Sequence, residues 1–545
     1  MQHLIEKTTL GNLPPIGKRN YGLEVVIDPE KCTGCGVCSM ECPSRIIDMV
    51  PAASGCEART SACTDHCLSG NDMKYALYQM KNGTSAKSVF ELIAQINPFP
   101  AITGRICSHP CEENCNRKHL DQAINLHDFE RYIGDLAIEG HFSLPMGEKD
   151  RPEKIAVVGG GPSGLSCAYF LRKQGYMVTV FEASEKAGGV LRYGIPSYRV
   201  PASVVESEIQ RITAAGVELK TGVDVGTDVS LEQLSREYNA VYIAGGRRKV
   251  ASLGVSGEEL AISALQFLKS LHDNSSSRIE GNVVVVGGGN VALDAARWAK
   301  KRGASTVTIV SLEKYYEMPA SNDEINAARE EGLLFLDGRG VEHLEQQDGQ
   351  IQISLRICVS LRDENGRFSP SYESCDEKLT ANLVIAAVGQ ATDLDWAGKE
   401  LVHEGERFVF TDKKGMTRRS GVFAGGDITA FANAGTVAGN IADGRKAAEH
   451  IHEYLTGEEI QKQAKSPLPA DSGFAEYHDT KKRREKITQE DALWEAKRCL
   501  HCGTQKASYR GKADLLYFNR ACQNCHNCVS VCESKAVSFR YFKNL

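Results

Sequence analysis

The cysteines of this chain fall into runs whose spacing serves metal chemistry. Near the start, KCTGCGVCSMECP sets out Cys32, Cys35, Cys38 and Cys42, with a proline after the last. Near the end, ACQNCHNCVSVC repeats the rhythm at Cys522, Cys525, Cys528 and Cys532. Three thiolates spaced in this way wrap one iron–sulfur cube, and the fourth reaches across to a second. Zinc seldom takes four cysteines in that rhythm. A wider group comprises Cys56, Cys63, Cys67, Cys107, Cys111 and Cys115, and an isolated pair sits in RCLHCG at Cys499 and Cys502. A CxxC pair alone is half of a site, so its other half must come from elsewhere in the chain.

The bulk numbers narrow the setting. The chain has 545 residues, 42% hydrophobic and 25% charged, with a net charge of −6 and 19 cysteines. There is no basic surplus to bind a phosphate backbone, so no nucleic-acid partner is expected. The most apolar runs, such as Val283 to Val286, have the length of strands and fall short of a membrane span. MQHLIEKTTLG lacks the apolar core of a signal peptide, so a cytoplasmic location is expected, where thiols stay reduced and dense cysteines read as metal ligands. Between residues 151 and 450 only Cys167, Cys358 and Cys375 occur, none in a motif, and no chemistry is assigned to them.

That cysteine-poor middle contains the elements that must position a redox group. In KIAVVGGGPSGLSCAYF a strand runs into Gly159, Gly161 and Gly164, with Ser163 opening a helix. Glycines there permit a tight turn and close approach of a pyrophosphate, which rests on the helix N-terminus. The next strand ends in Glu182, placed to hold a ribose diol. A second unit, NVVVVGGGNVALDAARWA, carries Gly287, Gly289, Asn290 and Ala292. Two such units predict two dinucleotides face to face, a nicotinamide and FAD. A third element, SGVFAGGDI, ends in Gly426 and Asp427, where a carboxylate can meet the flavin ribityl chain. The helix after Thr436 can aim its positive N-terminus at the flavin ring.

At this point the chain resembles the glutamate synthase small-subunit family, which includes the N-terminal half of dihydropyrimidine dehydrogenase. The resemblance rests on GGVLRYGIPSYRVP (containing Gly189 and Leu191), EMPASNDEINAAREEG, the GGD segment and NPFPAITGRICSHPCEENC. It covers roughly residues 56 to 455 and implies FAD, an adjacent nicotinamide and a helical iron–sulfur domain ahead of them. Relatives that use NADPH carry two arginines before the MPA segment; this chain has Ser311, Leu312 and Glu313 there. An acid near the adenosine ribose favours a free diol, so NAD(H) is expected over NADP(H). Lys314, or Arg247 and Arg248, could instead supply a phosphate site. Relatives also open their cluster domain with RCxxCG, which here stands at the far end as Arg498 to Gly503. The resemblance then implies one cluster on Cys63, Cys115, Cys499 and Cys502. It implies a second on Cys67, Cys107 and Cys111 with Glu130, with Cys56 as a competing ligand.

The terminal runs read as two halves of one ferredoxin-like module. Cys32, Cys35, Cys38 and Cys532 would hold one cluster, and Cys522, Cys525, Cys528 and Cys42 the other; two independent single-cluster loops are the alternative. The expected class is α/β, with two Rossmann-like dinucleotide-binding domains, a helical iron–sulfur domain and this split module. The divisions are 1–50, 51–150, 151–275 and 391–460 for FAD, 276–390 for NAD(P), a linker at 461–490, and 491–545. About four [4Fe-4S] clusters are expected. A nicotinamide gives up two electrons together, a cluster takes one, and FAD handles both. The reading is therefore a subunit of an NAD(P)H:acceptor oxidoreductase, exchanging electrons with partner subunits or a soluble ferredoxin. Hydride transfer needs no acid–base group, and no catalytic residue is assigned. An electron-bifurcating module, or an NADPH-using glutamate synthase-type subunit, remains as the alternative.

Overall fold

Valine- and isoleucine-rich runs with no polar alternation can only be strands covered on both faces, which is how parallel sheets are built. A computed structural model of the chain describes residues 21–28, 31–32, 38, 47–51, 61–119, 122–148, 150–273, 277–394, 396–397, 401–402, 408–431, 435–460, 487–500, 502, 505–509, 527–530, 535 and 537–543. Two five-stranded parallel sheets form its centre. The first runs Val422–Ala424, Ala240–Ile243, Lys154–Val158, Met177–Glu182, Glu218–Thr221. The second runs Leu334–Asp337, Thr306–Ser311, Asn282–Val286, Leu383–Ala386, Ala261–Ser263.

The second unit therefore begins earlier than residue 276, because Ala261–Ser263 is an edge strand of its sheet and helix Ala264–Asp273 packs into its core. Three strand residues leave too little pattern to be read from sequence. An antiparallel meander, Arg339–Gln347, Gln350–Arg362 and Phe368–Ala381, adds Val341, Ile353 and Leu355 to the apolar cluster around Val284 and Val286. A short antiparallel pair, Lys249–Val250 with Gln390–Ala391, ties the two crossings between the halves.

Ahead of the first sheet lie helices Met73–Lys81, Ala86–Ala94, Pro100–Ile106 and Leu126–Glu139. Asp72 and Ser85 cap the first two by accepting from the Tyr75 and Ser88 N–H groups. Leu77, Phe90, Phe99, Phe129 and Ile133 are buried in a core continuous with that of the first sheet. Helix Gln489–Arg498 joins this bundle from the other end of the chain. It starts on a reciprocal capping box between Thr488 and Asp491 and lies against Met73–Lys81 and Leu126–Glu139. Ala492 and Ala496 are fully buried there.

The chain ends also pair. Tyr21–Ile27 is antiparallel to Val537–Lys543, and Ile47–Pro51 is antiparallel to Gln505–Tyr509. Residues 461–486 of the linker expected at 461–490 lie outside the described residues, and its last residues cap and begin helix Gln489–Arg498. Among the described residues no helix is long and apolar enough to cross a membrane.

Helix Val437–Thr456 crosses helix Pro162–Lys173 at Gly444, where any side chain would run into the Ser163 carbonyl oxygen. Gly444→Val is expected to cost roughly 1–3 kcal/mol by overpacking this crossing. A denaturant titration should show a lower midpoint; an unchanged one would mean that the crossing has slack.

Candidate functional site

Two cavities in the helical domain are walled by cysteines. Cys63, Cys115, Cys499 and Cys502 line the first, with Lys74, Leu77, Asn116, Arg117 and Leu126. The thiols come from both ends of the sequence because the C-terminal helix is anchored beside the cavity. Arg498 is 2% exposed. It donates to Glu495 Oε2 at 2.7 Å and to the Gln122 carbonyl at 2.6 Å. Arg117 donates to the Arg498 carbonyl at 2.9 Å, and Lys74 to the Cys502 carbonyl at 3.3 Å. The Asn116 amide donates to Cys502 Sγ at 3.4 Å. Burial pushes the Cys63 thiol up to about 11 and moves Cys115 the same way.

Cys67, Cys107, Cys111 and Glu130 line the second cavity, together with His109, His127 and Leu126. Glu130 is held from behind, since its Oε1 accepts from the Asn71 and Asn97 amides, each at 2.9 Å. Burial pushes its carboxyl up to about 7 against those hydrogen bonds. Burial also pushes Cys107 up to about 12 and raises Cys67 and Cys111. Buried thiols become ligands when a cation supplies the missing charge, because a metal takes the thiolate. Three or four thiols converging in a closed cavity fit an iron–sulfur cluster by donor chemistry. Leu126 belongs to both walls, and Ala438 of helix Val437–Thr456 closes the second.

The nucleotide loops share one construction. Gly159 and Gly287 take φ of +105° and +137°, conformations that exclude a side chain. Gly161 and Gly289 open helices Pro162–Lys173 and Asn290–Lys301, with no atom within 4 Å of where a Cβ would stand. Gly164 and Ala292 are buried where each helix passes its strand. These are cradles for a pyrophosphate at a helix N-terminus. Glu182 is buried beside the first loop, accepting from the Gly160 and Ser184 N–H groups at 2.8 Å each. Glu313 overhangs the second loop: a Cβ on Gly288 would come within 2.8 Å of its Oε2. The Asn290 side chain accepts from the Ser321 N–H at 2.9 Å, which lays the MPASNDE segment across this loop.

The third element closes over the first loop. Gly426 takes φ +72° and packs on Ser163, whose hydroxyl meets the buried Tyr242 hydroxyl at 2.7 Å. Asp443 accepts from the Gly426 N–H at 2.6 Å. Asp427 Oδ1 accepts from the Gly435 N–H at 2.6 Å and from the Asn440 amide at 3.0 Å. Thr436 caps helix Val437–Thr456 by accepting from the Gly439 N–H. Gly189 turns at φ +51° and Leu191 is buried in the core below.

Residues 149–452 match the pyridine nucleotide-disulphide oxidoreductase family, which is more than half of the chain. The chain belongs to that family. Residues 47–142 match the dihydropyrimidine dehydrogenase domain II, 4Fe-4S cluster family, and residues 25–48 a 4Fe-4S binding domain. The protein is thus a flavin- and pyridine-nucleotide-dependent oxidoreductase with 4Fe-4S domains. It is 34% identical to the beta subunit of NADP(+)-dependent formate dehydrogenase from Moorella thermoacetica, over 73% of this chain and 60% of that one. It is 30% identical to NADPH-Fe(3+) oxidoreductase subunit beta from Geobacter sulfurreducens, over 81% of this chain and 75% of that one. It is 32% identical to the glutamate synthase [NADPH] small chain of Azospirillum brasilense, over 72% of this chain and 86% of that one.

Not every expected residue of this oxidoreductase falls at a site. Arg247 donates to the Asp427 carbonyl at 3.1 Å and Arg248 pairs with Asp224 at 3.1 Å. Both therefore sit on the flavin-type half, away from the loop whose ribose they were to reach; the Lys314 side chain packs against Gly338, between strands Leu334–Asp337 and Arg339–Gln347. Cys32 and Cys38 are buried, and Cys528 falls on the helical turn Asn527–Ser530. Cys35, Cys42, Cys56, Cys522, Cys525 and Cys532 lie outside the described residues. Sequence reasoning missed Lys74, Asn116 and Arg117 around the first cavity, and Asn71 and Asn97 behind Glu130. Asn97 alone left a signal, since it opens the NPFPAITGR motif.

Arg498→Ala removes the side-chain bonds that help anchor the C-terminal helix and takes the cation from buried Glu495, a loss of about 3–5 kcal/mol for a buried pair. Limited proteolysis of that variant should cut between residues 499 and 545 at least ~10-fold faster than in the parent. Equal rates would show that Arg498 is not the anchor.

Proposed function

We propose that the chain is the electron-relaying subunit of a larger enzyme. It would exchange hydride between NAD(H) and FAD, and single electrons between FAD and four [4Fe-4S] clusters that lead to a partner subunit or a soluble ferredoxin. The observation that carries this reading is the sequence of walls. The second cysteine cavity is closed by Ala438, on the helix whose N-terminus faces the flavin-type loop, and it shares Leu126 with the first cavity.

The residues divide the work as follows. FAD lies on Gly159, Gly161, Ser163 and Gly164, with Glu182 for its ribose and Gly426, Asp427 and the Thr436-capped helix at its other end. The nicotinamide nucleotide lies on Gly287, Gly289, Asn290 and Ala292. Glu313 overhangs that loop and presents an acid to the adenosine ribose, which supports NAD(H) over NADP(H). Relatives carry both kinds of name: one is a subunit of NADP(+)-dependent formate dehydrogenase, another a subunit of NAD-dependent dihydropyrimidine dehydrogenase. Cys63, Cys115, Cys499 and Cys502 hold one cluster. Cys67, Cys107, Cys111 and Glu130 hold the next. The terminal runs hold two more, with the strand pairings Tyr21–Ile27 to Val537–Lys543 and Ile47–Pro51 to Gln505–Tyr509 in support. Several relatives are named as subunits, which supports a partner protein as the electron donor or acceptor.

Two measurements test the assignment. Anaerobically purified protein should hold one FAD and about sixteen irons per chain, and Cys499→Ala should hold about four fewer, taking four irons per cubane. Iron that stays at the parent level would remove Cys499 from the ligands. Steady-state reduction of a viologen dye should favour NADH over NADPH, and Glu313→Arg should shift the ratio toward NADPH by roughly tenfold or more. A parent enzyme that prefers NADPH tenfold would overturn the nucleotide assignment.

A further inference from the structure

One segment of the chain touches both nucleotide halves, and its contacts differ in kind at its two ends. At the first end, the Gly188 N–H donates to the Gly160 carbonyl at 2.8 Å, so the segment is bonded to the first phosphate loop. Eleven residues on, Arg199 leaves its own half and enters the second. Its Nη1 donates to both carboxylate oxygens of Asp294, at 2.9 and 2.8 Å. Its Nη2 lies 3.1 Å from Glu324 Oε1.

Asp294 stands on the helix that begins at the second phosphate loop, and Glu324 on helix Asn322–Glu330, whose preceding Ser321 is bonded to Asn290 of that loop. Between the ends, His272 of the second half bonds the Ile195 carbonyl at 2.9 Å and packs edge-on against Trp298. Arg297 and Lys301 lie over the Tyr198 ring at 5.1 and 5.0 Å. Arg297 completes the network by pairing with Glu324 and Glu331.

The side chain of Arg199 is 15% exposed and that of Asp294 is 6% exposed. An ion pair so buried loses most of its attraction to desolvation, and apolar residues of similar size would hold two domains together as well. What a guanidinium adds is direction: its planar fork meets carboxylates only at fixed angles. One fork here spans two helices, one that starts at the second loop and one whose N-cap residue is bonded to it, from a segment bonded to the first loop.

We infer that Arg199, acting on Asp294 and Glu324, is a positioning residue that fixes how the nicotinamide-binding half sits against the flavin-binding half. This rests on the reading of the second loop as the nicotinamide site. Hydride transfer is sensitive to such placement, since a misplacement of about 1 Å can cost on the order of a hundredfold in rate.

The experiment uses the full, cofactor-loaded chain under anaerobic rapid mixing. Arg199→Met should keep its FAD content and its reduction by dithionite. Flavin reduction by saturating NADH should slow roughly 10- to 100-fold with KM changed less than about twofold. The long-wavelength charge-transfer absorbance of nicotinamide over flavin should weaken, and Arg199→Lys should restore only part of either signal. Asp294→Asn approaches the same contact from the other side and should reproduce the pattern if Arg199→Met fails to fold. Three outcomes would overturn the inference: parent-like reduction and absorbance, a raised KM at unchanged rate, or loss of FAD in both variants. A parent protein reduced by neither NADH nor NADPH would instead sink the nicotinamide reading beneath it.

Discussion

Arg498 carries a full charge in a place almost closed to water, and that burial organises the metal-bearing part of the molecule. Burying a guanidinium is costly unless it is paired, and Glu495 engages its Nη1 and the Gln122 carbonyl its Nη2 while Arg117 holds its backbone. The next residue in the chain is Cys499. The contacts that satisfy the arginine therefore fix where two thiols from the C-terminal end stand relative to Cys63 and Cys115. Burial then acts on the thiols themselves by disfavouring their charged form, so the cavity is poorly suited to bare cysteines and well suited to ones bound to a cation.

Two groups of charged residues among those described differ in what they do. Around the first cavity, Lys74 and Arg117 bring positive charge to the wall, and around the second Glu130 brings a carboxylate. Net charge and hydrogen bonds to sulfur are among the terms that set a cluster's potential, so adjacent cavities with one shared leucine need not be electrically alike. At the junction of the two sheets, Arg199, Asp294, Arg297 and Glu324 balance one another and serve geometry. Their residues belong to GIPSYRVP and SNDEINAAREEG, or to the helix between them. This gives a physical reason for two motifs that lie outside the phosphate loops.

How much of this was legible in the sequence depended on the range of the interaction. The phosphate loops were legible because strand, glycines and helix are consecutive, and each glycine answers a local demand such as the φ of Gly159. The wide cysteine group was not legible from spacing alone. Cys63 and Cys499 carry no mark that they belong together, and only the likeness of RCLHCG to a motif found elsewhere in relatives joined them. The start of the second unit was missed because Ala261–Ser263 earns its place in a sheet through its neighbour Leu383–Ala386 and not through its own pattern. Tyr242 against Ser163, Asp443 against Gly426 and Arg199 against Asp294 are all pairs distant in sequence, and nothing local announces them. Arg247 and Arg248 illustrate the converse: plausible by type, they are engaged by Asp427 and Asp224 on the other half.

The pairing of Tyr21–Ile27 with Val537–Lys543 has a consequence for biogenesis. The first of these strands leaves the ribosome early, and its partner follows only after on the order of 500 residues, which at ordinary elongation rates is about a minute later. Throughout that interval the first strand has no partner, while the nucleotide-binding sheets between them can already fold. Pairing of these two strands is thus a late event, and a ribosome that stalls before Val537 would hold folded nucleotide-binding sheets with Tyr21–Ile27 still lacking its partner.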